Sequence, residues 1–283
     1  MIDVQPPIRF LSGDGLTVAY VDRDPGTDAI PLVMLHGGAV DHRMWAQQFD
    51  AFTGRRIVAP DARGHGRSST ATGPHRLCDD VVALLDALQI ERAVLVGLSM
   101  GGSTAVDTAL EHPARVAGLV VTGAGTSEPD FSDPWTLDVF AAWQQAQAAG
   151  DADGWIEAFM RFVPGPHRDL GEVAPGVVEG VEAMVRDTLA THVVPDEPGT
   201  PRPPVPATPV AGTWPRLAGI EAPVLGIVGN LDARDHLRMA RTLVESVPRG
   251  QLVTIEGCAH YPNMERPGKF NAAVAAFLGS HDL

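Results

Sequence analysis

Apolar and polar positions along the chain follow two periods. Short continuous apolar runs occur at LTVAYVD (16–22), PLVMLHG (31–37), RRIVAPD (55–61), RAVLVG (92–97), VAGLVVTG (116–123), APVLGIVG (222–229) and QLVTIEG (251–257). Runs of this length, flanked by glycine, proline and polar residues, predict buried strands. The first is expected to close a hairpin that begins near Ile8. Between the runs the apolar spacing changes. Val81, Leu84, Leu85 and Leu88 mark one face of a helix over 75–90. GGSTAVDTALEHP predicts a helix stopped by Pro113, and further helices are expected over 234–247 and 267–278. This alternation predicts an α/β fold with a mostly parallel central sheet and helices on both faces.

The pattern breaks between residues 126 and 215, where no buried strand is predicted. WTLDVFAAWQQAQAA, GWIEAFMRFV and GVVEGVEAMVRDTLATHV read as three helices. PDEPGTPRPPVPATPVAGTWP then carries eight prolines in 21 residues, which predicts an extended connector and excludes a long helix or a central strand. The expected organisation is a core of residues 1–125 and 216–283, interrupted by a helical insertion of residues 126–215 with a proline-rich return.

Composition narrows the function. The chain of 283 residues has a net charge of −14, which argues against nucleic acid or an anionic membrane as partner. Its cations are almost all arginine, and the one lysine is Lys269. Two cysteines, Cys78 and Cys258, do not make a disulfide framework and are expected as free thiols. The first residues, MIDVQPPIRFLSGDG, lack the basic start and long apolar stretch of a secretion signal, and no apolar run is long enough for a membrane span. A cytoplasmic protein is expected.

The strongest chemical signal is Gly97-Leu98-Ser99-Met100-Gly101, placed between a predicted strand and a predicted helix. A serine on so sharp a turn has its hydroxyl exposed, with glycines allowing close backbone passage on both sides. The helix behind it offers free N–H groups and a partial positive charge to an oxyanion. Serine needs a base, and the base needs an orienting group. His260 follows the last predicted strand and Asp232 follows the one before it, so both sit at strand ends. The order Ser99, Asp232, His260 is the one such a triad takes on this architecture. Asp235, in the same loop as Asp232, is a competitor for the carboxylate role. The oxyanion donors are expected to be the backbone N–H groups of Met100 and of Gly38 in HGGAV, with Gly37 as fallback. His36 is expected to fix that loop.

With these pieces in place the sequence resembles the α/β-hydrolase superfamily over nearly its whole length. The resemblance is carried by LHGGAVDHRMWAQQ, APDARGHGRSS, VVALLDALQIERAVLVGLSMGG, PVLGIVGNLDARD and EGCAHYPNMERPGKFNAAVAAFL. DHRMW, DARGHG and GLSMGG look most like enol-lactonases and the esterase and perhydrolase-like members nearby. The resemblance implies a cap at 126–215 and hydrolysis of a carboxylic ester or lactone through an acyl-enzyme, with no metal or organic cofactor. It disfavours the aspartate-nucleophile members, because Ser99 stands at the elbow. It disfavours epoxide hydrolysis, because Tyr20 and Tyr261 both lie outside the cap, and hydroxynitrile lyases, which use a cap lysine. Tyr261 follows the histidine where C–C bond hydrolases of this fold usually carry tryptophan, and Asn230 stands where many relatives have an acid. A C–C hydrolase, a biosynthetic lyase or cyclase, and a non-hydrolytic ligand-binding protein remain as alternatives.

The substrate is expected to be a small molecule with an apolar or ring portion. Candidate contacts are Trp135, Trp143, Trp155 and Trp214, with Phe131, Phe140, Phe159 and Phe162 on the same segment. Arg161, Arg168 and Arg186 are candidates to meet a substrate carboxylate.

Overall fold

A computed structural model describes residues 7–13, 16–196, 200–202 and 205–283. The first six residues, where no leader is expected, and residues 197–199 and 203–204 of the proline-rich run lie outside the described residues.

Strand β1 (Ile8–Gly13) forms an antiparallel hairpin with β2 (Leu16–Arg23). The next strands are β3 (Leu32–Leu35), β4 (Ile57–Pro60), β5 (Ala93–Leu98) and β6 (Val116–Thr122). Every residue of these four is buried, as their unbroken apolar runs require of strands covered on both faces. After the insertion come β9 (Val224–Gly229) and β10 (Gly250–Ile255). Among the described residues these make one sheet of order β1-β2-β4-β3-β5-β6-β9-β10. The pairs from β4 to β10 are parallel, and β2 joins β4 antiparallel. The predicted strands are all present, with ends within two residues of the expected bounds.

Helices α1 (Ala46–Ala51) and α10 (Pro267–Ser280) cover one face, and α2 (Leu77–Ala87), α3 (Met100–Glu111) and α8 (Arg234–Ser246) the other. α1 was not expected from the sequence; six residues hold too few turns to reveal a helical period.

The segment between β6 and β9 contains α4 (Pro134–Ala149), α5 (Ala152–Met160) and α6 (Val177–His192), matching the three predicted helices. Its proline-rich return forms a two-stranded ribbon, β7 (Val194–Asp196) with β8 (Thr200–Arg202), apart from the main sheet. A single turn, α7 (Thr213–Arg216), then includes Pro215. Proline is tolerated there because the N–H groups of a first turn have no intrahelical acceptor. One-turn α9 (Pro262–Glu265) precedes α10. Ile156, Phe159, Met160, Val181 and Val185 of the insertion pack in the same apolar cluster as Val40, Met44 and Trp45, so the insertion shares the core. Among the described residues no helix is long and apolar enough to cross a membrane.

Candidate active site

The carboxyl ends of β3, β5, β6, β9 and β10 point to one edge of the sheet, where parallel topology gathers side chains from distant segments. Ser99 follows β5 and immediately precedes α3. Its backbone has φ 52° and ψ −113°, a conformation that costs a non-glycine residue about 1–3 kcal/mol. The turn closes through Ser99 N–H to Thr122 O (2.8 Å) and Ser103 N–H to Ser99 O (2.9 Å). The flanking glycines are needed for space. A Cβ on Gly97 would lie 2.2 Å from the carbonyl oxygen of Gly101, and one on Gly101 would lie 2.0 Å from that of Leu35.

Asp232 and His260 come from the loops after β9 and β10. His260 Nδ1–H donates to Asp232 Oδ2 at 3.0 Å, which leaves Nε2 as the basic nitrogen. Asp232 Oδ1 accepts from Ala233 N–H (2.7 Å) and from His236 Nδ1 (2.9 Å). The two imidazoles lie 4.4 Å apart between centroids, tilted by 31°. Burial alone would raise the Asp232 carboxyl, but His236 and His260 outweigh it and hold it well below the usual carboxylate range. Burial lowers His260, and His236 adds to that, while the Asp232 charge opposes it. A neutral imidazole beside a carboxylate is the state a general base requires. His236 was passed over in the sequence. It stands four residues beyond Asp232, in the first turn of α8, and only the folded turn brings it to the carboxylate.

Asp235 takes a different role. Its Oδ2 accepts the N–H groups of Ser132 (2.9 Å) and Asp133 (2.8 Å), and its Oδ1 pairs with Arg238 (2.9 Å), tying the start of α4 to α8. Asn230 bridges the two loops, donating to Glu256 and accepting from Gly257 N–H (2.8 Å).

Ser99, Met100, Gly38 and His260 line one cavity of about 440 Å³. Gly37 lies off its wall, and the Gly37 N–H donates to Met44 Sδ at 3.4 Å. His36 sits between loops: Nδ1 donates to Gly37 O (2.7 Å) and Nε2 accepts from Ala62 N–H (2.9 Å). Burial lowers its pKa, which favours the neutral form that this double role needs. Asp61 organises the DARGHG loop beside it, accepting from His42 Nδ1 (2.7 Å) and from Arg67 N–H (3.0 Å).

The wall facing the sheet is aromatic. Phe131, Phe140, Trp143, Phe159 and Phe162 line the cavity, and Phe162 lies 5.9 Å from the His260 ring. Of the four expected tryptophans, only Trp143 reaches the cavity. Trp135 faces a separate surface groove with the Arg161 guanidinium over its ring. Trp155 stands behind Trp143 and stacks on Phe159. Trp214 donates to Glu128 O (2.8 Å) and fills the space beside Gly125. Each is aromatic packing within or below the insertion, which helical spacing alone does not separate from a pocket wall. Arg161, Arg168 and Arg186 also lie away from the cavity, paired with Asp138, Glu265, and Asp153 with Glu182.

Comparisons with known proteins place the chain by family and fold. A profile of the alpha/beta hydrolase fold family matches residues 30–267. The chain is 32% identical to 3-oxoadipate enol-lactonase 2 of Acinetobacter baylyi, over 83% of each chain. It is also 32% identical to a 2-hydroxy-6-oxononadienedioate/2-hydroxy-6-oxononatrienedioate hydrolase of Burkholderia vietnamiensis, over 94% of this chain and 92% of that one. Among solved structures, the esterase RhEst1 from Rhodococcus sp. ECU1013 superposes with a TM-score of 0.75 at 26% identity, covering 96% of this chain and 98% of that one.

Proposed function

From the premise that the chain belongs to the α/β-hydrolase fold family, we propose that it hydrolyses a carboxylic ester or lactone of a small molecule, with Ser99 as nucleophile, His260 as general base and Asp232 as the orienting carboxylate. The observation that carries this is the meeting, at one cavity, of a strained serine elbow and a buried His260–Asp232 pair. His260 Nε2 takes the Ser99 proton as Oγ attacks the carbonyl carbon. Asp232 fixes the His260 tautomer and stabilises the imidazolium. The N–H groups of Gly38 and Met100 meet the oxyanion, each worth about 3 kcal/mol of transition-state stabilisation. In support, both residues line the cavity, and neither N–H has a protein acceptor among the described residues. His260 then protonates the leaving alcohol, and water releases the acyl group by the reverse sequence.

Residues 126–215 serve as a cap that sets substrate choice, and its aromatic wall suits an apolar or ring portion. The two buried free thiols suit a reducing, cytoplasmic setting. A dioate, the substrate class in the name of the Burkholderia relative, would call for cations at the cavity. None of the lining residues is Lys or Arg among the described residues.

Labelling with a serine-directed fluorophosphonate, together with turnover of an activated aryl ester, tests the reading. Both are expected to vanish in Ser99→Ala. Activity within about tenfold of the parent would remove Ser99 from the nucleophile role.

A further inference from the structure

The cavity has a second, chemically different end. Ser103 and Asp107 follow Ser99 at four-residue intervals on α3, and all three reach the cavity. Asp107 therefore stands about 12 Å along the helix axis from the nucleophile. Thr104, Thr126, Ser127 and Thr208 also line the cavity.

Asp107 is 5% exposed. Its Oδ1 accepts from Ser127 N–H at 3.5 Å, and its other neighbours are neutral donors rather than cations. The arginines in this part of the molecule are engaged elsewhere: Arg76 and Arg216 each bind Glu111 at 2.7 Å. Among the described residues no Lys or Arg forms an ion pair with Asp107. Burial raises its carboxyl above the ordinary range; hydrogen bonding from Ser127 and the Val210 N–H offsets this only in part, and the charge of Glu111 adds to it. An anion removed from water without a counter-charge is unfavourable, so a ligand that brings a cation gains from the pairing. A ligand carboxylate would add like-charge repulsion in a water-poor space.

We propose that Asp107 anchors an anionic subsite that takes a protonated amine of the substrate, so that the preferred substrates are esters or lactones bearing an ammonium group remote from the scissile carbonyl and bearing no carboxylate there. The proposal rests on the ester or lactone reading for the reaction itself. Asp107 acts as a specificity residue: it binds the remote end while Ser99 and His260 do the chemistry.

The test uses aryl esters of a matched series of linear acids, over several chain lengths, ending in amino, methyl or carboxylate groups. The full-length enzyme is expected to favour the best amino ester over its carboxylate counterpart by about tenfold or more in kcat/KM. In Asp107→Asn that ratio is expected to fall toward one. Equal rates for the two esters in the parent protein overturn the subsite whether or not the variant folds, as does a contrast that survives Asp107→Asn. Calorimetry of the same esters with Ser99→Ala separates the two readings. A binding contrast without any turnover by the parent sinks the hydrolase reading and keeps the subsite. Turnover without a contrast does the reverse.

Discussion

Two walls enclose the cavity, and they are set by different forces. On the sheet side, positions depend on backbone: Gly97 and Gly101 sit where no Cβ fits, and Gly123 at φ +60° leaves room for the His260 ring. On the insertion side, positions depend on rings touching rings. Phe140 stacks on Trp143, Trp155 on Phe159, and Phe162 meets Trp135 edge-on. Backbone clashes have no cheap remedy, whereas an aromatic cluster repacks. The sheet side is therefore expected to be intolerant, with losses in kcat. The insertion side is expected to be tunable, with changes in KM.

The largest effect belongs to the carboxylate that serves two histidines. Asp232→Asn is expected to lower kcat by about 10⁴-fold, as loss of the orienting carboxylate does in serine-protease triads. Asp235→Asn in the same loop is expected to cost less than about tenfold in kcat, because it braces the start of α4 and does not touch His260. Steady-state kinetics on an aryl ester compare them, and similar losses would mean that the loop as a whole, not one carboxylate, sets the base.

Gly123→Ala comes next. The new methyl would lie 2.6 Å from His260 Cε1 and 2.9 Å from Nδ1, on a backbone already in the left-handed region. The imidazole must shift, and a misplacement of this size is expected to lower kcat by about 10²-fold with little change in KM. Thermal unfolding should show a lowered Tm. Parent-like kcat would show that the ring has more freedom than its contacts imply.

This difference between the walls also explains what the sequence made legible. Ser99, Asp232 and His260 could be picked out because each follows a continuous apolar run, and the topology of a parallel sheet brings such ends together. The elbow glycines could be picked out because the steric demand on them is local. His236 was hidden: its role depends on which way the first turn of α8 faces, and nothing within the loop fixes that. The tryptophans failed for a related reason. A helix in a small insertion buries rings on more than one side: Trp143 and Trp155 both pack against the apolar core, and only Trp143 lines the cavity. Asp107 carries no motif, and among the described residues it has no cation partner because Arg76 and Arg216 pair with Glu111.

A smaller effect concerns pH. In the proposed mechanism only neutral His260 accepts the Ser99 proton, so activity is expected to be lost as pH falls through its pKa. Burial and His236 place that pKa below the ordinary histidine value of 6.5. The acid limb of kcat/KM, which reports the free enzyme, is therefore expected below that value. His236→Gln removes a neighbour that lowers His260, so the limb is expected to move toward higher pH. A limb unmoved by the substitution would reduce His236 to packing.

The smallest effect tests the insertion side directly. Trp143 and Trp155 meet edge-to-face at 4.7 Å, yet only Trp143 lines the cavity. Trp143→Ala removes wall from the substrate side, so KM for bulky aryl or branched esters is expected to rise by about tenfold, with kcat largely kept. Trp155→Ala removes support from behind, where it stacks on Phe159 with an interplanar angle of 3°. Its cost is expected in stability, about 3 kcal/mol at most because the ring is only partly buried, with KM changed by less than about threefold. Denaturant melts and kinetics on the same two proteins give both numbers. If Trp155→Ala moved KM as far as Trp143→Ala, the rings would act as one unit through which the wall is set, and the contrast between a lining layer and a supporting layer would be lost.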